Sequence, residues 1–377
     1  MKVAVTTLAF CVAALLALGL VMLYSSSVTQ VGAHYLMMQL IWCAFGFILC
    51  VTATALDYQW LKKIAWPIFI LALLLLLLVL VPHIGRKING ARRWFDFHGM
   101  RFQPSELGKI ALIIMLAWYG DRYQRQMQTW KRGIIFPGAL IALMLGLVFV
   151  EPDRGTTILL AAVSGTMLLI AGVRWKYIVP PVLLGAAGLA VSILHDPMRL
   201  RRIFGWWDME QHKDGVGYQA YQAMIALGSG GWTGLGLGNG RQKLGFVPED
   251  HTDFIFSIIG EELGLIATLL VVLAFVVIAI CGIYIALRAR DPFGSLLAAG
   301  VTFLISLQAA INIGVVTSAL PNKGLPLPFI SYGGSNLLAM LTCVGLLFSI
   351  ARHAPAREKV RATAAVIDEN PFAAKAT

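Results

Sequence analysis

The densest run of titratable side chains in this 377-residue sequence is Pro248-Glu249-Asp250-His251-Thr252-Asp253-Phe254-Ile255-Phe256, which ends where a long apolar stretch begins. Carboxylates and an imidazole gathered at such a boundary are the groups that acid–base chemistry uses. Asp253, near the start of the following helix, feels two opposed influences: the macrodipole favours its carboxylate, and low-dielectric surroundings disfavour it. Thr252 or Asp253 could equally cap that helix.

Glu106 and Lys109 follow Gln103-Pro104-Ser105 at the start of another apolar stretch, and their i, i+3 spacing puts them on one helix face. They form either a structural ion pair or part of a substrate site. Glu261 and Glu262 lie about 12 Å along a helix from Asp253 at a rise of ~1.5 Å per residue, and project in different directions. They read as hydrogen-bonding partners of neighbouring helices rather than reacting groups.

The elements that must position these groups are membrane helices. A chain that is 58% hydrophobic and 13% charged, with a mean hydropathy of +0.77, has too much apolar surface for a water-soluble core. Uncharged runs of the length needed to cross about 30 Å of hydrocarbon recur at 7–25, 38–56, 64–82, 105–120, 133–149, 156–173, 177–194, 254–287, 293–319 and 332–351. The fold class is therefore all-α, a polytopic integral membrane protein with about ten transmembrane helices. A large external loop, 195–253, separates helices 7 and 8. Residues 1–351 form one membrane domain, and 352–377, polar and alanine-rich, read as a disordered cytoplasmic tail. The first span ends in Tyr24-Ser25-Ser26-Ser27 with no small-residue cleavage pattern, so it reads as retained.

Cys11, Cys43, Cys50, Cys281 and Cys343 all fall in spans, where they serve packing rather than a disulfide framework. The basic connections 121–132, 174–176 and 288–290, with Lys62 and Lys63, place both termini in the cytoplasm by the positive-inside trend. Segments 83–104 and 195–253 then lie outside despite carrying Arg86, Lys87, Arg92, Arg93, Arg101, Arg199, Arg201, Arg202, Lys213, Arg241 and Lys243. Long translocated loops escape the rule; the shorter one is harder to excuse, and its cations are what an anionic lipid pyrophosphate would require, although charge alone does not choose the ligand. The net charge of +11 is spread over short juxtamembrane loops, so nucleic acid is not the partner. The run from Arg199 to Trp207 mixes cations and aromatics as a headgroup-layer segment does. The glycine-rich stretch 228–240 has neither Walker spacing nor a dinucleotide-site context.

Several pieces, in this order, resemble the SEDS family (shape, elongation, division and sporulation). They are Asn89-Gly90-Ala91-Arg92-Arg93-Trp94, Gln103-Pro104-Ser105-Glu106, Glu151-Pro152-Asp153, Pro248 through Phe256, Glu261-Glu262-Leu263-Gly264, and Pro326 through Ser335. The resemblance covers nearly the whole chain short of the tail. Gly238 through Lys243 and Lys323-Gly324-Leu325-Pro326 look like the division-type branch rather than the elongation type. Arg154 departs from the pattern, standing where an apolar residue is expected; it adds a cation to the cavity or pairs with Asp153.

The resemblance implies a ten-helix glycosyltransferase of the bacterial cytoplasmic membrane that joins lipid II into septal glycan strands. Its expected partners are a class B penicillin-binding protein and other division-complex membrane proteins. It makes Asp253 the essential acid. Arg93, Lys109, Arg241 and Lys323 are expected to stabilise the departing diphosphate; Glu106, Asp153, His251 and Ser331 complete the substrate-binding set. No cofactor is required by the sequence, though a divalent cation, Mg or Mn, could bridge Asp253 or Glu106 and the diphosphate. A lipid II flippase and an elongation-type polymerase are the rival functions.

Overall fold

A computed structural model describes residues 1–88, 91–97, 100–248 and 251–354. The expected disordered tail thus lies almost wholly outside the described residues. Ten long helices form the bundle: α1 (Lys2–Val31), α2 (His34–Ala55), α3 (Trp60–Leu80), α4 (Pro104–Arg122), α5 (Phe136–Val150), α6 (Arg154–Ile170), α7 (Trp175–Leu194), α10 (Ile255–Leu287), α11 (Pro292–Val316) and α12 (Gly334–Arg352). Two shorter helices, α8 (Pro197–Trp207) and α9 (Tyr218–Ser229), fall within the expected external loop. Among the described residues eight helices are long and apolar enough to cross a membrane, α5 being continuous with the helical turn from Lys131. The other two of the ten are α6, an apolar helix of 17 residues, and α4, which carries Glu106, Lys109, Asp121 and Arg122.

Charge does not expel α4 from the bundle, because the rest of it is the core. Residues 110–117 are all buried, and the helix packs on α3, α6 and α11. The most extensive helix packing is between α2 and α12, where a Cβ on Gly345 would stand 2.5 Å from the Cys50 carbonyl oxygen. Small residues at such crossings let backbones approach where no hydrophobic force drives helices together. All five cysteines are free, and four of them are buried, as packing residues should be.

The segment 83–104 is not a plain loop. It holds three short antiparallel strands, β1 (Arg86–Ile88), β2 (Ala91–Phe97) and β3 (Met100–Phe102), in the order β1-β2-β3. Arg86 pairs with Asp96 across the first two strands. Asn89-Gly90, a hairpin signal in sequence, lies outside the described residues.

The long eighth span is broken. Gly264 has φ 79° and ψ −174°, which divides α10 into an outer limb, 255–263, and a longer inner one. The broken backbone groups are satisfied by the glycine-rich stretch: Leu235 and Gly236 N–H donate to the Glu261 and Glu262 carbonyls, and Leu265 and Ile266 N–H donate to those of Gly231 and Trp232, at 2.9–3.2 Å. Glycine is needed for this contact, since a Cβ on Gly234 would meet the Glu262 carbonyl oxygen at 2.1 Å. The two buried carboxylates bind the same loop. Glu261 accepts from the Arg241 and Gln242 amides, and Glu262 from the Gly238 amide, Ser25 Oγ of α1 and Lys243 Nζ, the last at 2.7 Å. Lys243 is therefore a structural cation, 2% exposed, and not one available to a ligand.

Connections sort by end. At one end Lys62 bridges Asp121 and Asp291, both at 3.0 Å, and Tyr58 donates to Asp291 and meets the His353 ring edge-on. At the other gather the strands, the 151–153 turn, the α7–α10 segment and the non-helical 317–333 segment.

Removing one partner of a buried ion pair costs about 3–5 kcal/mol, more than replacing both by apolar groups. Lys243→Met is expected to lower the thermal unfolding temperature in detergent markedly, and adding Glu262→Met to recover part of the loss. Equal stability of Lys243→Met and the parent would show that this pair does not hold the loop.

Candidate active site

At this second end a cavity of about 670 Å³ opens among α2, β2, α6, α7, α8 and the segments preceding α10 and α12. Asp253 lines it, two residues ahead of α10; the helix N-cap is Phe254, which has no side-chain oxygen to offer. Asp253 lies against the 321–333 segment so closely that a Cβ on Gly324 would stand 2.8 Å from its Oδ2. Lys323 and Gly324 line the cavity beside it.

Two non-helical strands of chain buried side by side need partners for their carbonyls. Side-chain amides provide them. Asn312 Nδ2 donates both to the Asp253 carbonyl at 2.8 Å and to the Leu325 carbonyl at 2.7 Å. Gln308 Nε2, one helical turn away, donates to the Pro326 carbonyl at 2.9 Å. Gln39 of α2 donates to the Ser331 carbonyl at 3.3 Å, and Ser331 Oγ accepts from Leu327 N–H and donates to the Thr252 carbonyl at 2.5 Å. Ser331 is thus buried behind the cavity as a brace, and it does not line it.

Glu106 lines the cavity floor, and its Oε2 accepts from Lys109 Nζ at 2.7 Å and from Asn336 Nδ2 at 3.1 Å. Lys109 is fully buried, also reaches Gln308 Oε1 at 3.0 Å, and does not line the cavity. The helical pair expected from spacing is present, and its lysine continues into the amides that hold Asp253.

Arg93 of β2 lines the cavity and anchors the turn between α5 and α6, donating from Nε to the Glu151 carbonyl at 2.8 Å and from Nη2 to that of Pro152 at 2.6 Å. Asp153 caps α6, accepting from Thr156 N–H at 3.1 Å and Thr156 Oγ1 at 3.0 Å, with Gln103 and Arg93 close by. The Glu151 carboxyl is fully buried, and neither oxygen has a hydrogen-bond partner among the described residues. Burial, then the neighbouring Asp153, push it up to about 8, against the pull of Arg93.

His251 stacks on Tyr35, with centroids 4.6 Å apart, and Tyr332 leans on the same ring. With Trp42 and Trp94 they make an aromatic lining drawn from α2, β2 and the segments before α10 and α12. Cations line it too: Arg93 on β2, Arg101 on β3, Arg154 on α6, Arg199 and Arg202 on α8, and Lys323. Burial, then Arg154, Arg199 and Arg202, hold the Lys323 ammonium below the ordinary lysine range.

Of the residues expected from sequence, the cavity brings together Asp253, Arg93, Glu106, Asp153, His251 and Lys323. It leaves out Lys109 and Ser331, which lie behind it, and Arg241, whose side chain is exposed on the glycine-rich loop while its amide serves Glu261. Sequence reasoning missed Gln308 and Asn312, whose signal was an i, i+4 pair of amides inside an apolar span. Among the described residues no three His, Cys, Asp or Glu side chains gather as a metal cage.

These features define a polytopic membrane protein with a cavity at one end of its bundle, between the helix core and the segment that holds α8. A model of the cell cycle protein family FtsW/RodA/SpoVE matches residues 6–356, and the chain belongs to that family. It is 40% identical over 346 residues to a protein of Trichlorobacter lovleyi described as a probable peptidoglycan glycosyltransferase FtsW, covering 90% of this chain and 91% of that one. A Coxiella burnetii protein of the same description is 39% identical over 351 residues, covering 90% and 94%. Among solved structures, a chain from a peptidoglycan synthase complex that coordinates polymerization and crosslinking superposes with a TM-score of 0.78 at 28% identity, covering 92% of this chain and 96% of that chain. The rod shape determining protein RodA of Thermus thermophilus superposes with a TM-score of 0.68 at 27% identity, covering 93% and 97%.

A carboxyl raised from 4.5 to about 8 favours the folded state at low pH and withdraws that support as pH rises through this window. Thermal unfolding of the parent is expected to fall between pH 5 and pH 8 by a component absent from Glu151→Gln. Parallel pH profiles for the two proteins would refute a neutral Glu151.

Proposed function

We propose that this chain is a peptidoglycan glycosyltransferase that polymerises lipid II into glycan strands at the outer face of the bacterial cytoplasmic membrane. It works at the division septum beside a class B penicillin-binding protein and other membrane proteins of the division complex. The observation that carries this reading is Asp253 set against Gly324, next to Lys323, in a cavity that also holds an aromatic lining and several guanidinium groups. Likeness to FtsW proteins at 40% identity supports the division role over elongation. Likeness to a synthase complex supports the crosslinking partner. Lys62, Lys63, Arg122, Arg125, Lys131, Arg132, Arg174 and Lys176 lie toward the end away from the cavity, which supports an outward-facing site and cytoplasmic termini.

In this reading the Asp253 carboxylate takes the proton of the acceptor sugar's hydroxyl as that oxygen attacks the anomeric carbon of the donor. The bond from that carbon to the lipid diphosphate breaks in line, with inversion. Negative charge grows on the departing diphosphate, and Lys323 and Arg93, which line the cavity, are the groups that would meet it. His251, Tyr35 and Tyr332 offer ring faces to the sugar, and Glu106 and Asp153 offer acceptors for its hydroxyls. One or two carboxylates facing phosphate oxygens suit a divalent cation that arrives with the substrate. Asp253, and Glu106 below it, would hold such an ion, and it would supply neutralising charge.

The test is purified protein with its penicillin-binding partner and labelled lipid II in detergent, where transport between compartments has no meaning. Strands are expected from the parent, and Asp253→Ala should lose at least about 10²-fold in rate while keeping its unfolding temperature. Full activity in that variant would remove Asp253 from the reaction. Gly324→Ala, whose methyl would sit 2.8 Å from Asp253 Oδ2, should lower kcat more than it raises KM; an unchanged kcat would mean that this contact does not set the carboxylate's position.

A further inference from the structure

Residues 218–240 carry no charged side chain, whereas 199–214 before them and 241–243 after them carry several. The run comprises α9 and the glycine-rich stretch that docks on the break in α10. α9 packs on α10 with Ala220, Ala223 and Ala226 buried, and so closely that a Cβ on Gly230 would stand 1.9 Å from the Gly260 carbonyl oxygen. Past α9 the large side chains left exposed are Trp232, Leu235 and Leu237. The polar backbone of this stretch is turned inward. From Gly234 to Gln242 most amides have acceptors within the protein: Gly234 donates to the Gly230 carbonyl, Asn239 to that of Gly236, and the others to the carbonyls or carboxylates of Glu261 and Glu262. Ser229 Oγ donates to the Ala226 carbonyl and Asn239 Nδ2 to that of Leu235. A loop in water needs no such saturation, because water serves its amides; a stretch lying against hydrocarbon does.

The depth of the stretch follows from its contact with α10. The Trp232 carbonyl accepts from Ile266 N–H at 3.2 Å. Ile266, with Leu265, Leu269 and Leu270, belongs to the exposed apolar face of α10, a helix long and apolar enough to cross the membrane. From Leu265 to Leu287 that helix runs about 33 Å at ~1.5 Å per residue, close to the ~30 Å of hydrocarbon in a bilayer. The glycine-rich stretch therefore docks where the span meets the headgroup layer. Tyr24 marks the same level on α1: it is exposed and precedes Ser25, whose Oγ donates to Glu262 at 2.6 Å. Trp and Tyr gather at this boundary, where one side of the ring is apolar and the other wet. We propose that Trp232, Leu235 and Leu237 form a docking surface for phospholipid, entering the acyl chains beside α10 just beneath the headgroups, so that this part of the 195–253 segment lies in the bilayer surface and not in water. Its apolar side chains continue the lipid-facing side of α10 without a break. Arg241, exposed at the end of the uncharged run, supplies the cation that a phosphate layer takes. This contact does not depend on the reaction at Asp253.

The experiment reads tryptophan fluorescence of the full-length protein in phosphatidylcholine vesicles, with bromine on the acyl chains near the headgroup as the lipid quencher and iodide as the aqueous one. The chain has 10 tryptophans, so the Trp232 signal is the difference between the parent and Trp232→Phe. Leu237→Trp, measured against the parent, gives a second reading of the loop that stands if Trp232→Phe does not fold. Lys213→Trp, in the exposed charged turn before α9, gives the aqueous reference. The Trp232 and Leu237→Trp signals should each lose about half their intensity in brominated lipid, as expected of groups buried at the headgroup and acyl boundary. Iodide, a charge that hydrocarbon excludes, should quench them about tenfold less than it quenches Lys213→Trp. Iodide quenching of both loop signals at the Lys213→Trp level would put the loop in water and overturn the proposal. Quenching by neither agent would show the tip covered by protein, such as a second copy of this chain, and would overturn it as well.

Discussion

The site depends on one carboxamide. Asn312 donates to the carbonyls of Asp253 and Leu325, joining two non-helical stretches of chain that α10 and α12 would otherwise leave with unmet backbone groups. In a protein surrounded by lipid, an unpaired carbonyl costs several kcal/mol, so irregular backbone persists only where side chains meet it. Gln308, Gln39 and Ser331 extend the same clasp along 326–331. Phe329, at φ 66°, shows how firmly that stretch is held, since few residues other than glycine adopt this conformation unaided. Lys109 adds an electrostatic root: its ammonium joins Glu106 on the cavity floor to Gln308 in the clasp. Burying a lysine completely is tolerable because both partners are in hydrogen-bonding reach.

Much of this was legible because the bilayer imposes simple rules. Span lengths revealed the helices, and the spacing of Glu106 and Lys109 revealed their pairing, since both are local properties of one helix. The break at Gly264 was hidden within a continuous apolar run: what makes it stable is a loop some thirty residues earlier, whose amides replace the missing helical bonds. The same non-local contact explains Arg241 and Lys243. By type they suit phosphate equally, yet docking of the loop buries Lys243 on Glu262 and leaves the Arg241 side chain outside. The role of Arg154 also depends on a neighbour brought from afar, because Ser192 Oγ, with the Phe149 carbonyl and ring, engages its guanidinium, which makes no ion pair with Asp153 among the described residues.

The cavity is lined by two kinds of group. Rings from α2, β2 and the segments before α10 and α12 suit the faces of sugars, and guanidinium groups from β2, β3, α6 and α8 suit phosphate oxygens. Asp253 and Lys323 line the same cavity, so the proposed reaction needs one amphiphile that carries both sugar and phosphate.

The glycine-rich loop acts on α10 as a splint across a fracture. Residues 255–263 form a rigid rod of roughly 13 Å at ~1.5 Å per residue, with Gly264 as fulcrum and Asp253 just beyond its free end. Ser25 ties the C-terminal part of α1 to the same assembly through Glu262. The position of the Asp253 carboxylate is thus geometrically coupled to that loop and to α1. A tilt of about five degrees would displace the tip by about 1 Å, a shift to which the reaction proposed at Asp253 would respond on the order of a hundredfold.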